Sequence, residues 1–166
     1  MSNPFFSKQD SVFMQKALLQ AKKALKNNEV PIGAVVVVDN KVIGRGFNQV
    51  EKKQSQICHA EIVAIQKACA KIGGWRLSEA TMYVTLEPCF MCFGLIRLSR
   101  LKRLVFGTLS PVFGYSKFVT KEKMAEPELV VDFGLKEKPS ADMLKEFFAE
   151  ARKKRFLDGK VKLRRD

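Results

Sequence analysis

Met82-Tyr83-Val84-Thr85-Leu86-Glu87-Pro88-Cys89-Phe90-Met91-Cys92 decides how the 166-residue chain is read. Met82 to Leu86 is rich in apolar, β-favouring residues and reads as a strand. Pro88 marks a helix start, where its missing N–H costs nothing, and that helix is expected from Cys89 to Leu98. Cys89 and Cys92 stand three apart on it, so their thiols share one face. The free N–H groups and positive dipole end of the helix favour the thiolate, the form that binds metal. Open α/β sheets place their sites where strands give way to helices at one edge.

Upstream, Cys58-His59-Ala60-Glu61 offers a partner for that edge. His59 is the only histidine of the chain. It opens a segment with an apolar stripe of Ile62, Ile65, Ala68 and Cys69, and Gly73-Gly74 ends it as a helix. Two helix starts can converge at one sheet edge. His59, Cys89 and Cys92 are borderline or soft ligands that suit Zn²⁺, and three of them leave a fourth position open for a bound water. Such a site lowers the pKa of the water towards neutrality, and Glu61, two residues past His59, would take its proton and hand it on. A Cys-x-x-Cys pair alone also fits a redox dithiol or half of a structural zinc site. Glu61 sharpens the choice. Cys58 and Cys69 are not expected as ligands: Cys58 adjoins His59 at a helix start, and Cys69 reads as a buried small apolar residue.

The other elements follow in order. Ser7-x-x-Asp10 resembles a capping box. Behind it Met14, Ala17, Leu18, Ala21, Ala24 and Leu25 form one helical stripe, ending near Asn27-Asn28. Ala34 to Val38 reads as a buried strand. Asp39-Asn40 is a two-residue turn, and Lys41 to Phe47 returns as a second, antiparallel strand. Gly44 and Gly46 inside it mark a bulge or a close backbone approach. Asn48 follows at its end, and Glu51 to Gln56 is expected as loop. Leu104 to Phe106 is a strand ended by Gly107, Thr108 to Ser116 is loop, and Leu129 to Val131 is a last short strand. Pro139-Ser140 precedes a long helix with Met143, Leu144, Phe147, Phe148 and Ala151 on one side. Helical spacing alone puts at least one of Phe147 and Phe148 in the core. Strands alternating with helices predict one three-layer α/β/α domain over residues 1–155, with a basic C-terminal tail over 156–166.

The net charge is +13. Residues 152–166 carry eight basic residues (Arg152 among them) against Asp158 and Asp166, and Arg97 to Arg103 carries four with no acid. Such clusters attract a polyanion by counterion release and steering. A membrane surface fits less well, because the basic tail has few large apolar residues. No apolar run reaches 18 residues and the N-terminus lacks a secretory pattern, so neither a transmembrane helix nor a leader is expected. A cytoplasmic location is the expectation, and in that compartment four cysteines argue for metal or catalysis over disulfides.

His59-Ala60-Glu61 with Pro88-Cys89-x-x-Cys92 resembles the signature of the zinc nucleoside deaminases. Val30 to Val37, Asn48, Ala60 to Ile62, Tyr83 to Cys92 and Val105 to Gly107 extend the likeness to the bacterial tRNA-specific adenosine deaminases, over nearly the whole chain. The resemblance implies a cytidine-deaminase-like fold with a five-stranded mixed sheet. It implies hydrolytic conversion of adenosine to inosine at the anticodon wobble position, with release of ammonia. It implies His59, Cys89 and Cys92 as zinc ligands and Glu61 as the catalytic proton shuttle. Substrate contacts would come from Asn48, the Ala60 backbone, and Phe148 and Arg152 in the last helix. The partners would be a tRNA anticodon stem-loop and a second copy in a homodimer. The chain departs from its relatives in the loop after Gly107, where an acidic residue and a lysine are commonly found and Ser110 and Val112 stand here.

Independently of the resemblance, a base must leave its stack to reach a buried zinc, and a loop base leaves more readily than a paired one. The rival readings are a deaminase of a free nucleoside or nucleobase, which needs no strongly basic surface, a nucleic-acid-binding module with four-ligand structural zinc, and a thiol redox protein.

Overall fold

The computed structural model describes residues 6–119 and 129–157. A five-stranded mixed sheet runs through them, made of β1 (Gly33–Val38), β2 (Lys41–Phe47), β3 (Thr81–Leu86), β4 (Arg103–Thr108) and β5 (Val130–Phe133), in the order β2-β1-β3-β4-β5. β1 is antiparallel to both β2 and β3, whereas β3, β4 and β5 are mutually parallel. Alternate residues of the strands face opposite layers, as a period of two demands. Val35, Val37, Tyr83 and Val105 face α1 (Lys8–Lys26) and pack on Phe13, Met14 and Ala17. Ala34, Val36, Met82, Val84, Leu104 and Phe106 face α3 (Ala60–Ile72) and α4 (Phe90–Leu98). Both faces being covered explains the unbroken apolar run of β1. The last helix, α5 (Glu137–Leu157), lies on the α1 side, where Ser140 packs beside Gly107. The expected three-layer domain is therefore formed.

Local rules explain the entry to α1. Ser7 Oγ accepts from Asp10 N (3.0 Å), and the Asp10 carboxylate accepts from Ser7 N (2.8 Å), a complete capping box. The stripe behind it is buried except for Leu25, which is 39% exposed. Ala24 takes the buried position in the last turn and leaves Leu25 at its flank. The β1–β2 turn uses Asp39 and Asn40 at φ 48° and 58°, the pairing that tight hairpins need. Both readings of Gly44 and Gly46 hold. The register slips between Val36 and Val37 opposite Gly44 and Val42. A Cβ on Gly44 or Gly46 would collide with the Ala64 or Ala60 carbonyl of α3.

Several boundaries differ from the sequence expectations, each for a tertiary reason. Glu51 to Gln56 is not all loop: Val50–Lys53 forms a short helix, α2, and Gln56–Cys58 a 3-10 turn. Its first turn is capped from afar, because the Glu29 carboxylate accepts from Glu51 N (3.1 Å) and Lys52 N (2.7 Å). Gly107 does not end β4 but lies within it, where a Cβ would strike Ser140 and the Thr85 carbonyl. β5 begins one residue later than expected and continues through Asp132, whose charge is met by Arg103 Nε at 2.7 Å. α5 starts at Glu137, ahead of Pro139, since the first turn of a helix tolerates proline. It also runs past residue 155 to Leu157, across the expected domain–tail boundary. Residues 158–166, the rest of the basic tail, lie outside the described residues. Pro88 precedes the cap residue Cys89 instead of entering α4, and its carbonyl accepts from Tyr115 N at 3.0 Å.

Candidate metal centre and substrate cavity

His59 is the N-cap residue of α3 and Cys89 the N-cap residue of α4, and neither side chain caps its own helix. The two side chains turn towards each other instead. His59 Nδ1 lies 3.6 Å from Cys89 Sγ and 3.4 Å from Cys92 Sγ. Bonds of about 2.0 Å to nitrogen and 2.3 Å to sulfur around a tetrahedral zinc would hold such atoms roughly 3.5–3.8 Å apart. The spacing and donor chemistry therefore fit zinc. Among the described residues no further histidine, cysteine or carboxylate joins this group. Cys58 and Cys69 stand outside it, and Cys69 is half-buried where full burial was expected. Among the described residues, a four-ligand structural site lacks its fourth protein donor.

The electrostatics suit a cation. Cys89 accepts a hydrogen bond from the Cys92 thiol, which outweighs burial and, with help from His59, holds its pKa down at about 4. The same hydrogen bond, with burial, pushes the Cys92 thiol up. The hydrogen bond to Cys89 raises His59 against the opposing effect of burial. Glu61 is 4% exposed in the first turn of α3, and burial pushes its carboxyl up despite the nearby helix start and His59. A raised carboxyl holds a proton more readily than an ordinary one, which suits a group that must pass protons on.

One cavity of about 790 Å³ reaches this group. His59, Glu61 and Cys89 form part of its wall, and Asn48 enters from the end of β2. Phe148 and Arg152 line it from α5, with Phe148 45% exposed and Phe147 half-buried behind it. Ala60 is fully buried against Gly46 and does not line the cavity. Cys92, also buried, contributes only behind Cys89. The remaining wall comes largely from α2 and from the loop after Gly107, including Leu109, Val112 and Phe113.

Two buried acids of the surroundings have no role in the sequence-based expectations. Glu29 reaches Asn48 Nδ2 at 3.3 Å as well as the α2 amides. Glu87 accepts from Ser110 N (2.9 Å) and Ser116 N (3.0 Å) and so shapes the loop of the cavity wall. Ser110 Oγ in turn accepts from Phe113 N at 3.2 Å. Ser110 is thus part of the loop's own framework. Only their place in the folded chain reveals these roles, since each acid acts about twenty or more residues away.

The family profile of the MafB19-like deaminases matches residues 7–152. A tRNA-specific adenosine deaminase of Bacillus subtilis (strain 168) is 44% identical over 151 residues, covering 89% of this chain and 93% of the relative. A solved structure from a study of A-to-I editing by tRNA:A34 deaminases at the wobble position of transfer RNA is 39% identical, with a TM-score of 0.72, covering 81% of this chain and 99% of that one. A guanine deaminase from Nitrosomonas europaea is 22% identical with a TM-score of 0.76, covering 90% of this chain and 94% of that one, a likeness of fold alone.

Proposed function

The chain belongs to the tRNA-specific adenosine deaminases, within the MafB19-like deaminases, and from that premise we propose how its residues carry out the reaction. It is a hydrolytic deaminase that converts adenosine at the wobble position of a tRNA anticodon to inosine and releases ammonia. The reading is carried by one observation: a single cavity connects the His59–Cys89–Cys92 group and Glu61 to Asn48 and to an aromatic and basic rim on α5. His59, Cys89 and Cys92 hold zinc, which when bound supplies Lewis-acid activation of water. Glu61 takes the proton of the attacking water at its carboxylate. It delivers that proton to the ring nitrogen beside adenine C6, then takes the second proton from the hydroxyl added at C6 and passes it to the leaving amine, which departs as ammonia. Asn48 hydrogen-bonds the target nucleoside. Phe148 offers its exposed ring to a base, and Arg152 meets phosphate. Burial of Glu61 excludes bulk water from the proton path.

The resemblance to the family further supports a homodimer working in the cytoplasm, with residues 1–155 as the catalytic domain and the basic end of the chain helping to hold RNA. Among the described residues, no helix is long and apolar enough to cross a membrane. The fold does not select the substrate, because a purine-base deaminase shares it; the net charge of +13 favours RNA.

The test compares inosine formation at the wobble position of an anticodon stem-loop with turnover of free adenosine, guanine and cytidine. RNA is the expected substrate, and activity confined to a free compound would remove this reading. The variant Glu61→Gln is expected to keep its zinc and its fold while losing about a thousandfold or more in rate. A variant that deaminates normally would remove Glu61 from the mechanism.

A further inference from the structure

We propose that Glu29 is a positioning residue of this deaminase: it orients the Asn48 side chain towards the substrate and ties it to the cavity wall. The inference rests on the reading of Asn48 as a substrate contact. Glu29 is fully buried at 0% exposure and does not itself line the cavity. Its Oε2 accepts from Asn48 Nδ2 at 3.3 Å and from Glu51 N at 3.1 Å, and its Oε1 accepts from Lys52 N at 2.7 Å. Asn48 is buried too, yet lines the cavity with Val50 and Glu51. Its backbone is fixed by a hydrogen bond from its N–H to Ile32 O at 3.0 Å.

The chemistry of the pair is asymmetric. An asparagine amide can offer either its oxygen or its nitrogen to a ligand, and little separates the two orientations by shape. A carboxylate only accepts, so only Nδ2 can face Glu29. The flip is thereby decided before substrate arrives: the oxygen and the remaining N–H are left for the base or its ribose. A preset amide saves the reorganisation that a free one requires on binding. Because the same carboxylate caps α2, a displacement of the Val50–Lys53 wall is transmitted to Asn48. Burying a carboxylate is costly without compensating donors, and every donor Glu29 receives comes from Asn48 or from α2, which carries the cavity-lining Val50 and Glu51.

A double-mutant cycle tests the assignment, with Glu29→Gln, Asn48→Ala and their combination assayed on an anticodon stem-loop alongside zinc content and thermal midpoint. Glu29→Gln keeps the volume but places an amide donor among donors. It is expected to lower kcat/KM about tenfold while zinc stays bound. In the Asn48→Ala background the same change is expected to cost less than about twofold, because the group it acts through is gone. Full activity of Glu29→Gln, or losses that multiply in the double variant, would overturn the proposal and leave Glu29 as a support of α2 alone. Wild-type activity of Asn48→Ala would instead strike the underlying reading of Asn48, and the inference with it. Should the wild-type protein act only on a free nucleoside or base, the cycle is decided on that substrate. If Glu29→Gln fails to fold, NMR of the wild-type protein reads the pair directly. Slow exchange of an Asn48 side-chain N–H supports it, and fast exchange of both protons refutes it.

Discussion

His59, Cys89 and Cys92 show how much a few side chains can announce and how much they cannot. Their identities and their places at helix starts are visible in the chain, but the sharing of one proton by the two thiols is a property of contact. The hydrogen bond from Cys92 holds the Cys89 pKa down at about 4, so the metal-free pair is expected to carry one thiolate, on Cys89. A lowered pKa means that the thiolate is present at all pH values above it. In chelated protein, alkylation of Cys89 by iodoacetamide is therefore expected to level off above roughly pH 5. An ordinary thiol would instead keep accelerating towards about pH 8.5. Cys92, buried and raised, is expected to react last. Peptide mapping across pH reads both, and a Cys89 rate that climbs to pH 9 would contradict the shared-proton arrangement. Glu61 was legible beside His59 by spacing, whereas Glu29 was not, because its partners come from residues 48, 51 and 52.

The element that sets the metal centre is α3, and β2 determines how closely it approaches the sheet. Gly44 and Gly46 bring two backbone segments together where any side chain would collide with carbonyl oxygens of α3. The first turn of that helix carries Glu61 and follows His59 directly. Gly46→Ala is expected to destabilise the fold by about 3 kcal/mol, measured by urea unfolding, and to lower zinc occupancy, since the Ala60 carbonyl must retreat and His59 with it. Unchanged stability and occupancy would show that the approach is not needed. The strands were readable from β-branched runs and the helices from stripes and caps. The hairpin turn was also readable, because its two left-handed residues are Asp and Asn. α2 and the ends of β4 and β5 were not, since a distant carboxylate, a helix passing over a glycine and an ion pair decided them.

Across the whole molecule, one partly buried polar network ties α1 to the parallel half of the sheet. Asp10 Oδ1 accepts from Tyr83 Oη and from Arg103, each at 2.6 Å, and Arg103 also reaches Asp132. Burial works to raise the Asp10 carboxyl, but the hydrogen bonds from Tyr83, Ser7 and Arg103 together hold it below its ordinary value of 3.8. A carboxyl depressed in the folded state stabilises the protein above its unfolded pKa, and that contribution disappears as pH falls through the folded value. Asp10→Asn is thus expected to be less stable than the parent at pH 7, with the gap narrowing below about pH 4. Urea unfolding at several pH values measures it, and a gap that persists undiminished at pH 2 would show that charge is not what Asp10 contributes. The net charge of +13 is expected to act on partners, as the long-range attraction for RNA that the proposed function calls for.

The chain by itself determined the alternation of strands and helices, the antiparallel start and parallel continuation of the sheet, and the residues able to bind metal and move a proton. The alternation follows from side-chain periodicity, and the proposed metal and proton-transfer roles from donor chemistry and family likeness, which are legible along the chain. Only the tertiary structure decided that His59 Nδ1 stands within 3.6 Å of both sulfurs, that Asn48, Phe148 and Arg152 share a cavity with Glu61, and that Glu29 and Glu87 shape its walls. Those facts depend on groups far apart in sequence meeting across a sheet edge, and a hydrogen bond records where atoms meet, not where they lie along the chain. The stretch from Met82 to Cys92 specified a strand, a turn and a helix bearing two thiols. What brought His59 to them was the packing of α3 against two glycines of β2.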